Sequence, residues 1–123
     1  MTAVPGKRQG DHPPRAATVR AFLELLGLSR RAGALVSGTH AVRAAVQEGS
    51  VHRAILAADA AQGQRGKLIP LLDARRIPYY IGFTREELGA ATGRSPVSAV
   101  GLTNRALAER AGQLLMSITP ESR

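Results

Sequence analysis

Apolar residues recur at helical spacing near the start of the chain. Val19, Phe22, Leu23, Leu25, Leu26 and Leu28 make one apolar face, with Thr18 as the expected helix cap and Gly33 as its close. Residues 34–37 read as a short strand. Gly38 or Thr39 opens a second helix, whose inward face is Ala41, Val42, Ala45 and Val46 and whose end is Gly49. Residues 53–58 hold the unbroken apolar run Ala54-Ile55-Leu56-Ala57-Ala58, as in a strand covered on both faces.

Asp59 is the expected cap of the next segment, which reads as helical at least over 67–75. Pro70 deletes a backbone donor there and complicates the helix unless Gly66 and Lys67 form a loose first turn ahead of it. Residues 77–83 are strand-like, and Thr84-Arg85-Glu86-Glu87 is a capping-box pattern for a short helix running to about Ala90. Gly93 to Pro96 form a loop, 97–102 a last strand, and Asn104 caps a final helix through Ile118. The alternation of helix and strand predicts an α/β fold: a three-layer α/β/α sandwich on a four-stranded mixed sheet.

A length of 123 residues, 44% of them hydrophobic, fits one domain with one modest core. The proposed organisation is a flexible basic arm over residues 1–16, a folded domain over 17–118 and a short tail over 119–123. The arm holds Pro5, Pro13, Pro14, Gly6 and Gly10 among charges, too polar to bury itself. The N-terminus lacks the apolar core of a secretion signal, and no run approaches a membrane span. With no cysteine there is no disulfide, thiol nucleophile or cysteine-bound metal, and a reducing cytoplasm is the expected location.

Charge changes the picture. Lys plus Arg number 17 against 9 acids, a formal net charge of +8, and only Lys7 and Lys67 are lysines. Arginine presents a planar fork that takes phosphate bidentately and stacks on bases, so a polyanionic partner is expected.

Enzymatic motifs fail. The stretch Gly63-Gln64-Arg65-Gly66-Lys67-Leu68 resembles a phosphate loop, but Ala61 stands where the first glycine belongs and Leu68 where a magnesium-binding hydroxyl belongs. His12, His40 and His52 show no paired helical spacing for a metal. No serine lies in a Gly-x-Ser-x-Gly elbow. Glu86 and Glu87 are adjacent, so their carboxylates diverge on a helix and suit its positive end instead. The chain is therefore read as a non-enzyme without cofactor or metal.

What survives is the helix entered at Gly38. Its first-turn amides and the Thr39 hydroxyl lie beside His40 and Arg43, a group that bonds phosphates or base edges. On spacing alone, a plain helix start with a solvated arginine explains it equally well.

The ordered landmarks Leu26-Gly27-Leu28-Ser29-Arg30-Arg31-Ala32-Gly33, Gly38-Thr39, Gly49, Ala57-Ala58-Asp59-Ala60, Ile77-Pro78-Tyr79, Glu87-Leu88-Gly89 and Gly93-Arg94 span the chain. In order and spacing they resemble the L7Ae, L30e and S12e ribosomal-protein family, most closely its short bacterial members, over roughly Thr18 to Ile118. The resemblance implies one α/β/α domain that binds structured RNA, in well-studied members the kink-turn, a bent internal loop with sheared G·A pairs. It also implies a Gly-Thr-Asn-Glu-x-x-Lys signature at the start of the second helix and a further contact from the loop before the last strand.

Gly38 and Thr39 match that signature. His40 replaces its asparagine, Ala41 its glutamate and Ala44 its lysine. Ala41 offers no acceptor to a guanine edge and Ala44 no charge to a phosphate. His40 keeps a hydrogen-bonding edge, and Arg43 lies about a third of a turn from the lost lysine. In the second loop, Thr92-Gly93-Arg94-Ser95-Pro96-Val97, the expected contacts are Arg94 and Ser95. Arg30 and Arg31 precede the first strand and are expected near the same edge.

The only aromatic residues are Phe22, Tyr79, Tyr80 and Phe83, too few for a base-stacking platform. The resulting expectation is a cytoplasmic, monomeric RNA-binding protein that takes ribosomal or kink-turn-containing RNA, at or near the ribosome, by shape and phosphates. The rival reading is a protein-interaction module of the same fold, in ribosome or ribonucleoprotein assembly, that has lost kink-turn specificity.

Overall fold

The computed structural model describes residues 15–118. Along the chain run α1 (Arg15–Arg31), β1 (Leu35–Ser37), α2 (Thr39–Glu48), β2 (Arg53–Leu56), α3 (Gln62–Ala74), β3 (Tyr79–Ile81), α4 (Arg85–Ala91), β4 (Ala99–Leu102) and α5 (Arg105–Ile118). The strands form one mixed sheet in the order β1-β4-β2-β3. β4 is antiparallel to both β1 and β2, and β2 is parallel to β3.

Alternation along the strands sorts side chains to two faces. Ile55, Val100 and Leu102 join Phe22 and Leu26 of α1, Leu88 of α4 and Ala108, Ala111 and Leu115 of α5. Ala54, Leu56 and Ala99 join Val42, Ala45 and Val46 of α2 and Leu68 and Leu72 of α3. The sheet is thus sandwiched between two helical layers, the expected α/β/α architecture. Phe22 lies in the first cluster, its ring stacked on Phe83 at 5.1 Å between centroids.

Two cap expectations need correction. Thr18 is not the start of α1, because the helix reaches back to Arg15 and Thr18 is buried inside it. Residues 15–16, expected in the basic arm, are therefore helical. The remaining arm, 1–14, and the tail, 119–123, lie outside the described residues.

Asp59 does not cap α3. That helix starts at Gln62 behind Ala61, which gives no side-chain cap, and the Asp59 carboxylate instead accepts the Arg85 N–H at 2.8 Å. The loose first turn that would reconcile Pro70 with the helix is not formed, since α3 begins at Gln62 and Pro70 sits inside it. Pro70 brings no N–H to the Gly66 carbonyl four residues back. Both residues are exposed, so water can supply that donor.

The strands are shorter than their apolar runs because flanking amides are used elsewhere. Ala34 N–H goes to Ser29 O, Ile77 N–H to Leu72 O and Val97 N–H to Arg85 O. Beyond β3, Phe83 turns the chain at φ 65°.

Register gathers four strand ends at one edge. Ser37 pairs with Val100, Leu56 with both Ala99 and Ile81, so the C-terminal ends of β1, β2 and β3 meet the start of β4. The segments leaving those ends are joined by further backbone bonds: Gly38 N–H to Ala99 O, Ala57 N–H to Ser98 O and Ala58 N–H to Phe83 O. No helix among the described residues is long and apolar enough to cross a membrane.

Candidate nucleic-acid interface

Gly38 makes the turn from β1 into α2 at φ 98° and ψ 146°, a conformation open essentially to glycine alone. Its N–H bonds to Ala99 O at 2.8 Å, and its carbonyl takes the Val42 N–H at 2.9 Å. The amides of Thr39, His40 and Ala41 precede that first intrahelical bond, and no side chain caps them. By contrast, α4 has a complete capping box between Thr84 and Glu87, and Asn104 Oδ1 takes the Leu107 N–H at the head of α5.

The other end of α2 is closed. Gly49 at φ 82° returns its N–H to Val46 O, Ser50 N–H reaches Ala45 O, and Arg75 Nη1 donates to Val46 O and Gln47 O at 3.0 and 3.3 Å. A cation therefore sits at the negative pole of α2, while the positive pole faces a cleft.

That cleft lies between α2 and α3 and is lined by Thr39, His40, Arg43, Gln64 and Lys67. His40 and Arg43 occupy positions i and i+3 on one helix, Gln64 and Lys67 the same positions on the other. Each pair therefore presents one face. Packing of Val42 and Val46 with Leu68 and Leu72 fixes the helices that carry them. Among the described residues, no carboxylate lines the cleft. Ala41 and Ala44, where the family signature carries glutamate and lysine, are half-buried.

The loop before β4 is fastened at several points. Gly93, at φ 70°, returns its N–H to Ala90 O, and Arg94 N–H bonds to Gly89 O at 2.8 Å, closing α4 in a Schellman motif. Buried Thr92 donates its hydroxyl to Leu88 O at 2.9 Å. The loop then folds back on Gly89. A Cβ there would stand 2.7 Å from the Ser95 carbonyl carbon and 2.8 Å from Pro96 Cα. This leaves Arg94 and Ser95 exposed on a backbone held from both sides.

Arg30 belongs with that loop, since a Cβ on Gly93 would lie 3.1 Å from its Nη2. Arg31 does not join either group; it lines a groove between α1 and α4 together with Arg20, Glu24 and Glu87, where acids accompany the arginines. The anticipated residues thus fall into the α2 head (Gly38, Thr39, His40, Arg43), the α4–β4 loop (Arg30, Arg94, Ser95) and Arg31 apart. The bond from Gly38 to Ala99, at the far end of the loop, ties the first two groups together.

Sequence reasoning missed Gln64 and Lys67. The signal was present in their i, i+3 spacing, but Pro70 argued for starting the helix too late to show it.

Two half-buried features are structural. Arg53 points from β2 toward α5, where its Nε donates to Ala108 O at 3.0 Å and its guanidinium lies over Gly112. Burial lowers its pKa from the ordinary arginine value. On the neighbouring edge strand β3 the Tyr79 phenol is held above its ordinary 10.0 by partial desolvation, by the charge of Asp73 and by its hydrogen bond to Asp73.

A sequence profile of the ribosomal protein L7Ae/L30e/S12e/Gadd45 family matches residues 20–111. Among solved structures, a protein of unknown function from Bacillus halodurans is 32% identical, covering 77% of this chain and 96% of its own, with a TM-score of 0.74. The Giardia lamblia 15.5kD RNA binding protein shares the fold at 21% identity and a TM-score of 0.68, covering 86% of this chain and 96% of its own.

Proposed function

Because the chain belongs to the ribosomal protein L7Ae/L30e/S12e/Gadd45 family, we propose that it is a non-enzymatic RNA-binding protein that takes folded, kink-turn-like RNA. The observation that carries this reading is the pairing of two basic elements on one rigid edge. One is the acid-free cleft at the head of α2 and the other is the braced loop bearing Arg94. Thr39 and the first amides of α2 receive phosphate oxygens or base edges, His40 adds a hydrogen-bonding edge, and Arg43 and Arg94 clamp phosphates on either side. Arg30 lies against Gly93 and extends the positive surface of the loop. The protein works as a monomer in the cytoplasm, with ribosomal RNA as the natural class of partner.

The test is a titration of fluorescein-labelled kink-turn RNA against the same hairpin with its G·A pairs replaced, at several salt concentrations. Neutralising several phosphates gives a log–log salt slope of about −0.9 per phosphate contacted. Equal affinity for the two hairpins overturns kink-turn specificity and leaves general RNA binding. Absence of salt-dependent binding to either overturns the RNA reading. A second reading draws on Ala41 and Ala44, which remove two polar groups of the family signature. On that reading the fold docks on a protein of an RNA-containing assembly, and neither hairpin binds.

A further inference from the structure

We infer that Lys67, on α3, supplies the phosphate-binding charge that Ala44 of α2 cannot, so that the RNA backbone seats in the cleft between the two helices. This rests on the RNA-binding reading above and deepens it by assigning a contact outside the second helix.

Lys67 is exposed and lines the same cleft as Thr39, His40 and Arg43. Its ammonium and the Arg43 guanidinium give the cleft two positive charges from opposite walls, with no carboxylate in the lining among the described residues. A phosphodiester seated there meets charge from both sides and donors from Thr39 and Gln64 between them. Two other grooves differ from it. The α1–α4 groove carries Arg20 and Arg31, but Glu24 and Glu87 share it. On the same helix α3, Arg65 lines a separate groove with Gln62, Gly63, Gly66, Ile69 and Pro70.

Position also matters. Ala44 is half-buried beside the core-facing Ala45, whereas Arg43 and Lys67 project into solvent. A positive charge in the cleft can therefore be carried by α3 without asking a half-buried site on α2 to hold a lysine.

The experiment compares the full-length protein with Lys67→Gln and Arg65→Gln, two single-charge losses on one helix, using the fluorescein-labelled kink-turn RNA and its G·A-replaced control. Melting curves establish that both variants are folded. For Lys67→Gln the expected result is a loss of about three- to tenfold in affinity for whichever hairpin the wild type binds, with the salt slope shallower by about one contact. Arg65→Gln is expected to stay within about twofold, because Arg65 lines a separate groove and its charge reaches the cleft only through screening salt. If Lys67→Gln stays within that range while the wild type binds RNA, the inference fails and the RNA reading stands. Equal losses in the two variants also overturn it, because net charge and not the cleft would then be the cause. A wild type that binds neither hairpin takes down both.

Discussion

In a Gly89→Ala variant the new methyl carbon would stand 2.7 Å from the Ser95 carbonyl carbon and 2.8 Å from Pro96 Cα. Carbon atoms rest at about 3.5–4.0 Å, so backbone must separate from backbone by about 1 Å. A flexible side chain cannot swing away to make room, and the loop is tied at both ends by Arg94 N–H to Gly89 O and Val97 N–H to Arg85 O. Against this stands the intrinsic preference of a helix for alanine, worth about 1 kcal/mol. Overpacking costs about 1–3 kcal/mol, and backbone contact on both sides puts this site at the upper end. The expected net destabilisation is about 1–2 kcal/mol, or about 5–10 °C in Tm for a domain of this size. Gly66→Ala is the matched control: within α3 a Cβ at that glycine meets nothing within 4 Å. The same substitution there is expected to stabilise by about 0.5–1 kcal/mol. Urea denaturation followed by circular dichroism suits a chain without tryptophan. A Gly89→Ala protein as stable as wild type, or more so, would refute the account of the braced loop. Displacing Arg94 should also weaken RNA binding in conditions where the variant is folded, whereas Gly66→Ala should leave it unchanged.

Other outcomes follow from local chemistry. Thr84→Ala removes the hydroxyl that takes the Glu87 N–H and should cost about 1 kcal/mol, read from a chemical melt. Arg76 ends α3 at φ 57°, where Gly33, Gly49 and Gly93 end other helices. Arg76→Gly should relieve that left-handed strain and stabilise by about 0.5–1 kcal/mol in the same assay. Tyr79 has a raised folded pKa, so its contribution is complete below the ordinary 10.0 and is lost as pH rises through the higher folded value. Stability measured across the alkaline range should therefore fall less steeply in Tyr79→Phe.

The sequence carried the architecture wherever periodicity and punctuation agreed. Gly33, Gly49 and Gly93 each mark a helix end, and the Thr84 box and Asn104 cap stand where the pattern put them. Misreadings arose where one residue type serves two purposes. Asp59 looks like the cap of the helix that follows it, yet its carboxylate serves Arg85, 26 residues later, and only the fold brings them together. Thr18 looks like a boundary because its hydroxyl stands just ahead of the apolar face that starts at Val19, but the helix continues back to Arg15. At the candidate site, Gly38, Thr39, His40 and Arg43 were legible because they are local to one helix start. Lys67 was not, because it reaches the cleft through the packing of α2 on α3. Arg30 and Arg31 are neighbours in sequence, but successive helical positions point about 100° apart, which sends one to Gly93 and the other to the α1–α4 groove.

The bonds linking Gly38 to Ala99, Ala57 to Ser98, Ala58 to Phe83 and Arg85 to Asp59 make the edge above the sheet a single fixed body. On the proposed reading, an RNA that meets such a body must do the bending itself. Discrimination between RNAs would then follow how easily each sequence kinks, even at nucleotides the protein never touches. Ranking internal loops by their flexibility in the free state, and then by affinity, should give the same order.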